Sequence, residues 1–191
     1  YAIIFVLFTR LNPFRFLRKM LPVILFAFST SSSNATIPLN LETLERKCGV
    51  DEKVASFTIP LGATINMSGT AIMQGVAVVF VAQAFGIDLS TSALMTVVIT
   101  AVTAAIGTAG VPGVGTIMLA MVFESVGLPA AGIAMIMGVD RILDMGRTAV
   151  NVTGDAVVTM CMASLTKTLD RNVFQSRNED LIEEPAKAPS E

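Results

Sequence analysis

Residues 140–155 read Asp-Arg-Ile-Leu-Asp-Met-Gly-Arg-Thr-Ala-Val-Asn-Val-Thr-Gly-Asp, set in a run otherwise apolar enough to cross a membrane. At about 100° per residue of α-helix, Asp140, Asp144, Arg147, Thr148, Asn151 and Asp155 fall on one stripe roughly 100° wide. Each Asp or Arg at a bilayer centre costs about 2.5–3.5 kcal/mol on insertion scales. Four of them on one face cannot look at lipid. They predict a polar site inside protein, and in a membrane such a site handles an ion or a solute.

The bulk composition agrees. Hydrophobic residues make up 53% of the chain and charged ones 15%, and the mean hydropathy is +0.70, too apolar for an ordinary soluble domain. A net charge of −2 gives no reason to invoke nucleic acid. Cys48 and Cys161 fit neither a disulfide framework nor a metal motif. With no His in the chain, a Ser-His triad, a His metal cage and a His proton relay are excluded. No Lys lies between Lys53 and Lys167 to serve an intramembrane protease as base.

Charge placement gives the expected topology. Basic residues cluster at Arg10–Lys19, Arg46–Lys53 and Lys167–Arg177, and between Lys53 and Asp140 the only charges are Asp88 and Glu124. The positive-inside rule places the three clusters in the cytoplasm. Residues 1–9 read as the end of a preceding transmembrane helix, so the chain is expected to be the C-terminal part of a larger protein.

Segment lengths then fit those ends. Residues 13–47 leave the cytoplasm and return to it through Ser29-Thr30-Ser31-Ser32-Ser33-Asn34, each arm too short for a hydrocarbon core of about 30 Å. They read as a re-entrant hairpin. Residues 54–86 cross outward as a helix broken at Asn66-Met67-Ser68-Gly69-Thr70. Residues 90–126 form a second hairpin from the other side, broken at Gly107-Thr108-Ala109-Gly110-Val111-Pro112-Gly113-Val114-Gly115. Residues 128–166 cross inward as the last transmembrane helix. The expected fold is thus an all-α membrane protein with an inverted repeat, whose broken elements converge on a midplane site. Residues 167–191 read as a disordered cytoplasmic tail.

Together the serine-rich tip, Asn66–Thr70, Gly107–Gly113 and Asp144-Met145-Gly146-Arg147-Thr148…Asn151…Asp155 resemble the dicarboxylate/amino acid:cation symporter family, which includes the glutamate transporters. The resemblance covers about residues 10–165. It implies a transport domain over 10–166 that moves like an elevator against a homotrimeric scaffold in the inner or plasma membrane. It further implies that the protein is no enzyme and takes a small amino acid or dicarboxylate.

Site roles carry over from the same resemblance. Arg147 matches the arginine that pairs with a substrate side-chain carboxylate, with Thr70 and the Gly115 amide as helpers. Asp144 matches the holder of the α-ammonium, and Asn151 with the backbone near Ser32 and Ser33 the holders of the α-carboxylate; Val111 and Thr148 complete the expected pocket. Asp155, Asn151 and the carbonyls of Gly62 and Asn66 resemble one Na⁺ site, and carbonyls around Thr64, Ala105, Ile106 and Thr108 a second. Met67, Ser68 and Asp140 are expected to support these groups.

Two departures stand out. Members that take acidic amino acids usually read Asn-Met-Asp-Gly-Thr, whereas position 68 here is Ser, which removes a carboxylate from a third Na⁺ site. The second arginine of such members would fall at Ser31 or Met145. The expected substrate is glutamate or aspartate with Na⁺, H⁺ ranking behind it. A C4-dicarboxylate is the runner-up, followed by neutral or sulfur amino acids, and then by an ion channel or a non-functional fragment. Alone, a serine-rich stretch reads as a loop, Gly-Val-Pro-Gly as a turn and Asn66 as interhelical glue. For the polar stripe the bland reading is a purely structural role, which suits three Asp in a membrane helix poorly.

Overall fold

The computed structural model describes residues 1–176, which are helical throughout apart from short connections. Helix α1 (Ala2–Thr9) leads into α2 (Pro13–Thr30), and α3 (Ser33–Cys48) turns back on it. Asn12 starts α2 by accepting from the Phe14 amide at 2.9 Å, with Pro13 at the first helical position, where its missing N–H costs nothing. Ser31 ends α2 at φ 53, and the Ser32 hydroxyl caps α3 by accepting from the Ala35 amide at 3.2 Å. Two serines therefore complete the reversal.

Helices α4 (Glu52–Ile65) and α5 (Ser68–Ala84) share one apolar span, Glu52–Ala84, divided at Asn66-Met67. Then α6 (Thr91–Ile106) and α7 (Val114–Ser125) flank the 107–113 turn, followed by α8 (Ala131–Met137), α9 (Asp140–Leu165) and α10 (Arg171–Gln175). Glu52–Ala84 and Asp140–Leu165 are each long and apolar enough to cross a membrane.

Two apolar cores form. One joins α1, α2, α3, α4, α9 and α10 around Phe5, Phe16, Met20, Leu44, Ile59 and Met160. The other joins α5, α6, α7 and α8 around Val78, Val81, Val97, Leu119 and Phe123. Helix α9 packs against α2, α4 and α5. Its polar stripe thus lies where the two halves meet. On the outside, α5 exposes Ile72 (64%), Val76 (64%) and Phe80 (50%) at four-residue spacing, a stripe suited to lipid or to another apolar helix.

Two expectations are corrected. The last helix is not continuous over 128–166: it divides at Gly138-Val139 into α8 and α9. Val139 sits at φ −118, and the bonds tighten to three-residue steps, Val139 N to Ile136 O at 3.0 Å and Ile142 N to Val139 O at 3.1 Å. Gly132 lets α8 press on α5, since a Cβ there would lie 2.3 Å from Val81 Cγ1. The second correction concerns the tail. The chain stays folded through Gln175 because Asp170 caps α10 and buried Phe174 joins Phe5 and Phe16. The rest of the expected tail, 177–191, lies outside the described residues.

Candidate functional site

Helix α9 supplies the spine. Asp144, Arg147, Thr148, Asn151 and Asp155 are all buried, while Asp140 at its first turn is partly exposed. The periodicity thus turns its polar face inward.

Arg147 is held between two carboxylates. Its Nε donates to Asp144 Oδ1 at 2.9 Å, and Nη1 lies 3.6 Å from Asp140 Oδ1 and donates to Thr116 Oγ1 at 3.4 Å. Nη2 is also 2.9 Å from Asp144 Oδ1 but off its N–H direction, so it has an ion-pair partner and no directed hydrogen bond. Thr116 donates in turn to Asp140. The fork lies flat on the first turn of α7, and only Gly115 permits that: a Cβ there would be 2.8 Å from Arg147 Cζ. Asp144 Oδ2 accepts from the Gly113 amide at 2.9 Å, tying α9 to the 107–113 turn.

One turn on, Asn151 reads the helix break. Its Oδ1 accepts from the Gly69 amide at 2.7 Å, and its Nδ2 donates to Thr70 Oγ1 at 3.2 Å and reaches Met67 Sδ at 3.1 Å. These contacts satisfy orphan groups at the start of α5, which has no side-chain cap of its own. Asp155 lies one turn further. Its Oδ1 accepts from Asn66 Nδ2 at 2.8 Å and lies against Gly62, where a Cβ would be 2.6 Å away. Among the described residues no Lys or Arg pairs with Asp155. A buried carboxylate without a cationic partner is costly.

The two tips touch. Ser32 Oγ donates to Gly110 O at 2.9 Å, and the Asn34 amide donates to the same carbonyl at 3.1 Å. Between them lies a cavity of about 10 Å³, room for about one water. Ser31, Ser33, Thr70, Val111, Gly115, Asp144, Arg147, Thr148 and Asn151 line it. Nothing larger than about one water fits between the closed tips.

Not every expected residue joins this cluster. Thr64 is exposed and donates to Pro60 O at 3.0 Å. Thr108 lines the cavity, although its hydroxyl donates to Ala104 O at 2.8 Å. Ala105 and Ile106 border a separate cleft of about 370 Å³ with Asn66, Met67 and Ser68. Ser68 bonds to the Tyr1 hydroxyl.

Sequence reasoning missed three participants. Gln74 is fully buried, donates to Gly115 O at 3.2 Å and leaves its Oε1 unpaired. A lone amide in an apolar run was its available signal. Thr116 and the Gly113 amide carried none, because a threonine in a helix's first turn is ordinary and a backbone N–H is invisible in sequence.

Comparison with known proteins agrees with this architecture. Residues 1–165 match the model of the sodium:dicarboxylate symporter family. The chain is 45% identical over 165 residues to excitatory amino acid transporter 3 of Mus musculus, covering 86% of this chain and 32% of that protein. It is 43% identical over 155 residues to neutral amino acid transporter A of Bos taurus, covering 81% and 29%. It is 40% identical over 181 residues to neutral amino acid transporter B(0) of Mus musculus, covering 95% and 32%. The chain spans about a third of the length of the curated relatives it matches. The polar spine, the broken helix and the matched span agree: this chain belongs to the sodium:dicarboxylate symporter family.

Proposed function

We propose that the full-length protein is a Na⁺-coupled symporter of an acidic amino acid, glutamate or aspartate, working by an elevator movement of this chain as its transport domain. In this reading residues 10–166 form that domain. The α2–α3 and α6–α7 hairpins dip into the membrane from opposite sides as an inverted repeat, and a homotrimeric scaffold comes from the remaining polypeptide. The length of α7 supports it: its 12 residues span about 18 Å, well short of a hydrocarbon core.

The observation that carries the substrate reading is Arg147 Nη2, buried in the cavity with no directed hydrogen bond. A planar fork with an unused N–H suits a carboxylate. Asp144, which now neutralises Arg147, can turn to an α-ammonium once a substrate carboxylate takes its place. Asn151, Thr148 and the Ser32–Ser33 backbone then serve the α-carboxylate, with Thr70, Val111 and the Gly115 amide beside the side chain. Asp155, Asn151 and the Gly62 and Asn66 carbonyls hold one Na⁺. Carbonyls at Thr64, Ala105, Ile106 and Thr108 hold a second, and Met67, Ser68 and Asp140 support the set.

A neutral amino acid is the second reading. Asp144 and Asp140 already compensate Arg147, so a neutral solute does not strand its charge. Two of the relatives named above are neutral amino acid transporters. A C4-dicarboxylate ranks lower than either, because it leaves Asp144 facing a like charge.

Equilibrium binding to the purified full-length protein tests this. Aspartate or glutamate is expected to bind only with Na⁺ present, and Arg147→Met to abolish that binding. Unchanged aspartate and glutamate affinity in the variant overturns the assignment.

A further inference from the structure

The cytoplasmic base of the first hairpin carries a buried cation with no role at the site. Lys19 is 3% exposed. Its Nζ donates to Lys47 O at 2.5 Å, in the last turn of α3, and to Val173 O at 3.1 Å, in α10, and it sits 5.3 Å over the Phe174 ring. One ammonium thus caps a helix C-terminus and grips a chain segment more than 150 residues away. Three further contacts hold the same segment. The Asp170 amide donates to Gly49 O at 2.8 Å. Gly49, at φ 75, leaves no room for a Cβ, which would lie 2.3 Å from Asp170 O. Phe174 inserts beside the Phe5–Phe16 stack, whose rings are 4.6 Å apart.

We propose that residues 168–175 form a detachable strap, pinned by Lys19, that clamps the cytoplasmic ends of α1, α2 and α3 and is released without unfolding the rest of the domain. A five-residue helix has too little propensity to stand alone, so α10 exists only while docked. Its grip rests on Phe174, the half-buried Leu169, one cation and one backbone pair, the profile of a low-stability unit on a stable body. Once it lifts, Lys19 loses an acceptor and an aromatic face, and the C-terminus of α3 opens to water. The inference is independent of which solute the site takes.

The protein carries its own reporter. Cys48, at the end of α3, is fully buried beside Lys19, and burial pushes its thiol up to about 12, so it is inert while the strap is closed. Cys161, buried near the end of α9 in the same apolar core as Phe174, lies too close to the strap to serve as a control. Maleimide labelling of Cys48 in the purified full-length protein, read by peptide mass spectrometry beside the thermal midpoint, tests the strap. In Phe174→Ala and in Lys19→Met, Cys48 labelling is expected to accelerate about tenfold or more while the thermal midpoint stays near its wild-type value, and Lys19→Arg is expected to restore part of the protection. Unchanged Cys48 labelling in Phe174→Ala overturns the proposal. A fall of the thermal midpoint in parallel with faster labelling also overturns it, because the segment would then be an ordinary part of the fold.

Discussion

At the scale of single residues, the site depends on glycines that let charged groups lie on backbone. Gly115 is the clearest, since its missing Cβ is what lets the Arg147 guanidinium rest on α7. Overpacking of this kind costs about 1–3 kcal/mol, so Gly115→Ala is expected to weaken substrate binding about ten- to hundredfold. Titration of the full-length protein checks it; wild-type affinity would mean that Arg147 moves aside freely. Asp155 presents the opposite case, a carboxylate with an amide neighbour and, among the described residues, no basic partner. Asp155→Asn keeps the shape and removes the charge, and is expected to lower apparent Na⁺ affinity about tenfold or more. Na⁺ dependence of substrate binding reads this, and an unaltered Na⁺ midpoint would place the cation elsewhere.

At the scale of elements, the sequence told more about polarity than about continuity. Asp140 to Asp155 could be placed on one face because each costs so much in lipid that periodicity alone decides its direction. Asn66-Met67 and the 107–113 turn were legible as breaks because polar and glycine-rich residues interrupt apolar runs. Gly138-Val139 was not, as a lone glycine followed by valine costs a helix only about 1 kcal/mol and tertiary packing decides the outcome. Here Gly132 against Val81 holds α8 at its own angle. Gly132→Val is therefore expected to destabilise the protein by about 1–3 kcal/mol, seen as a lowered thermal midpoint of the full-length protein. An unchanged midpoint would show that α8 is free to shift. Helix α10 was misread for a related reason. Charged residues around Phe174 look like a solvated tail, and only the packed Phe5–Phe16 pair reveals where that ring goes.

For the whole molecule, the proposed reading links binding to ion coupling through electrostatics. Among the described residues, Asp140, Asp144 and Asp155 have only Arg147 as an ion-pair partner along the spine, three carboxylates against one guanidinium before any anionic substrate arrives. On the proposed reading a dry site cannot hold a further charge unneutralised, so cations are expected to enter with the substrate. Ser68, bonded to the Tyr1 hydroxyl, offers no carboxylate for another cation. Reversal potentials are accordingly expected to give fewer than three Na⁺ per substrate, and three or more would show that Ser68 does not weaken a third site. The most direct test of the central claim is uptake by the full-length protein in proteoliposomes under an inward Na⁺ gradient. Labelled aspartate or glutamate is expected to accumulate, to stop accumulating when the gradient is removed, and to be displaced by unlabelled aspartate and glutamate but not by succinate. Na⁺-driven uptake that succinate or a neutral amino acid blocks, and that aspartate and glutamate leave untouched, would contradict the reading of Arg147 and Asp144 on which the account rests.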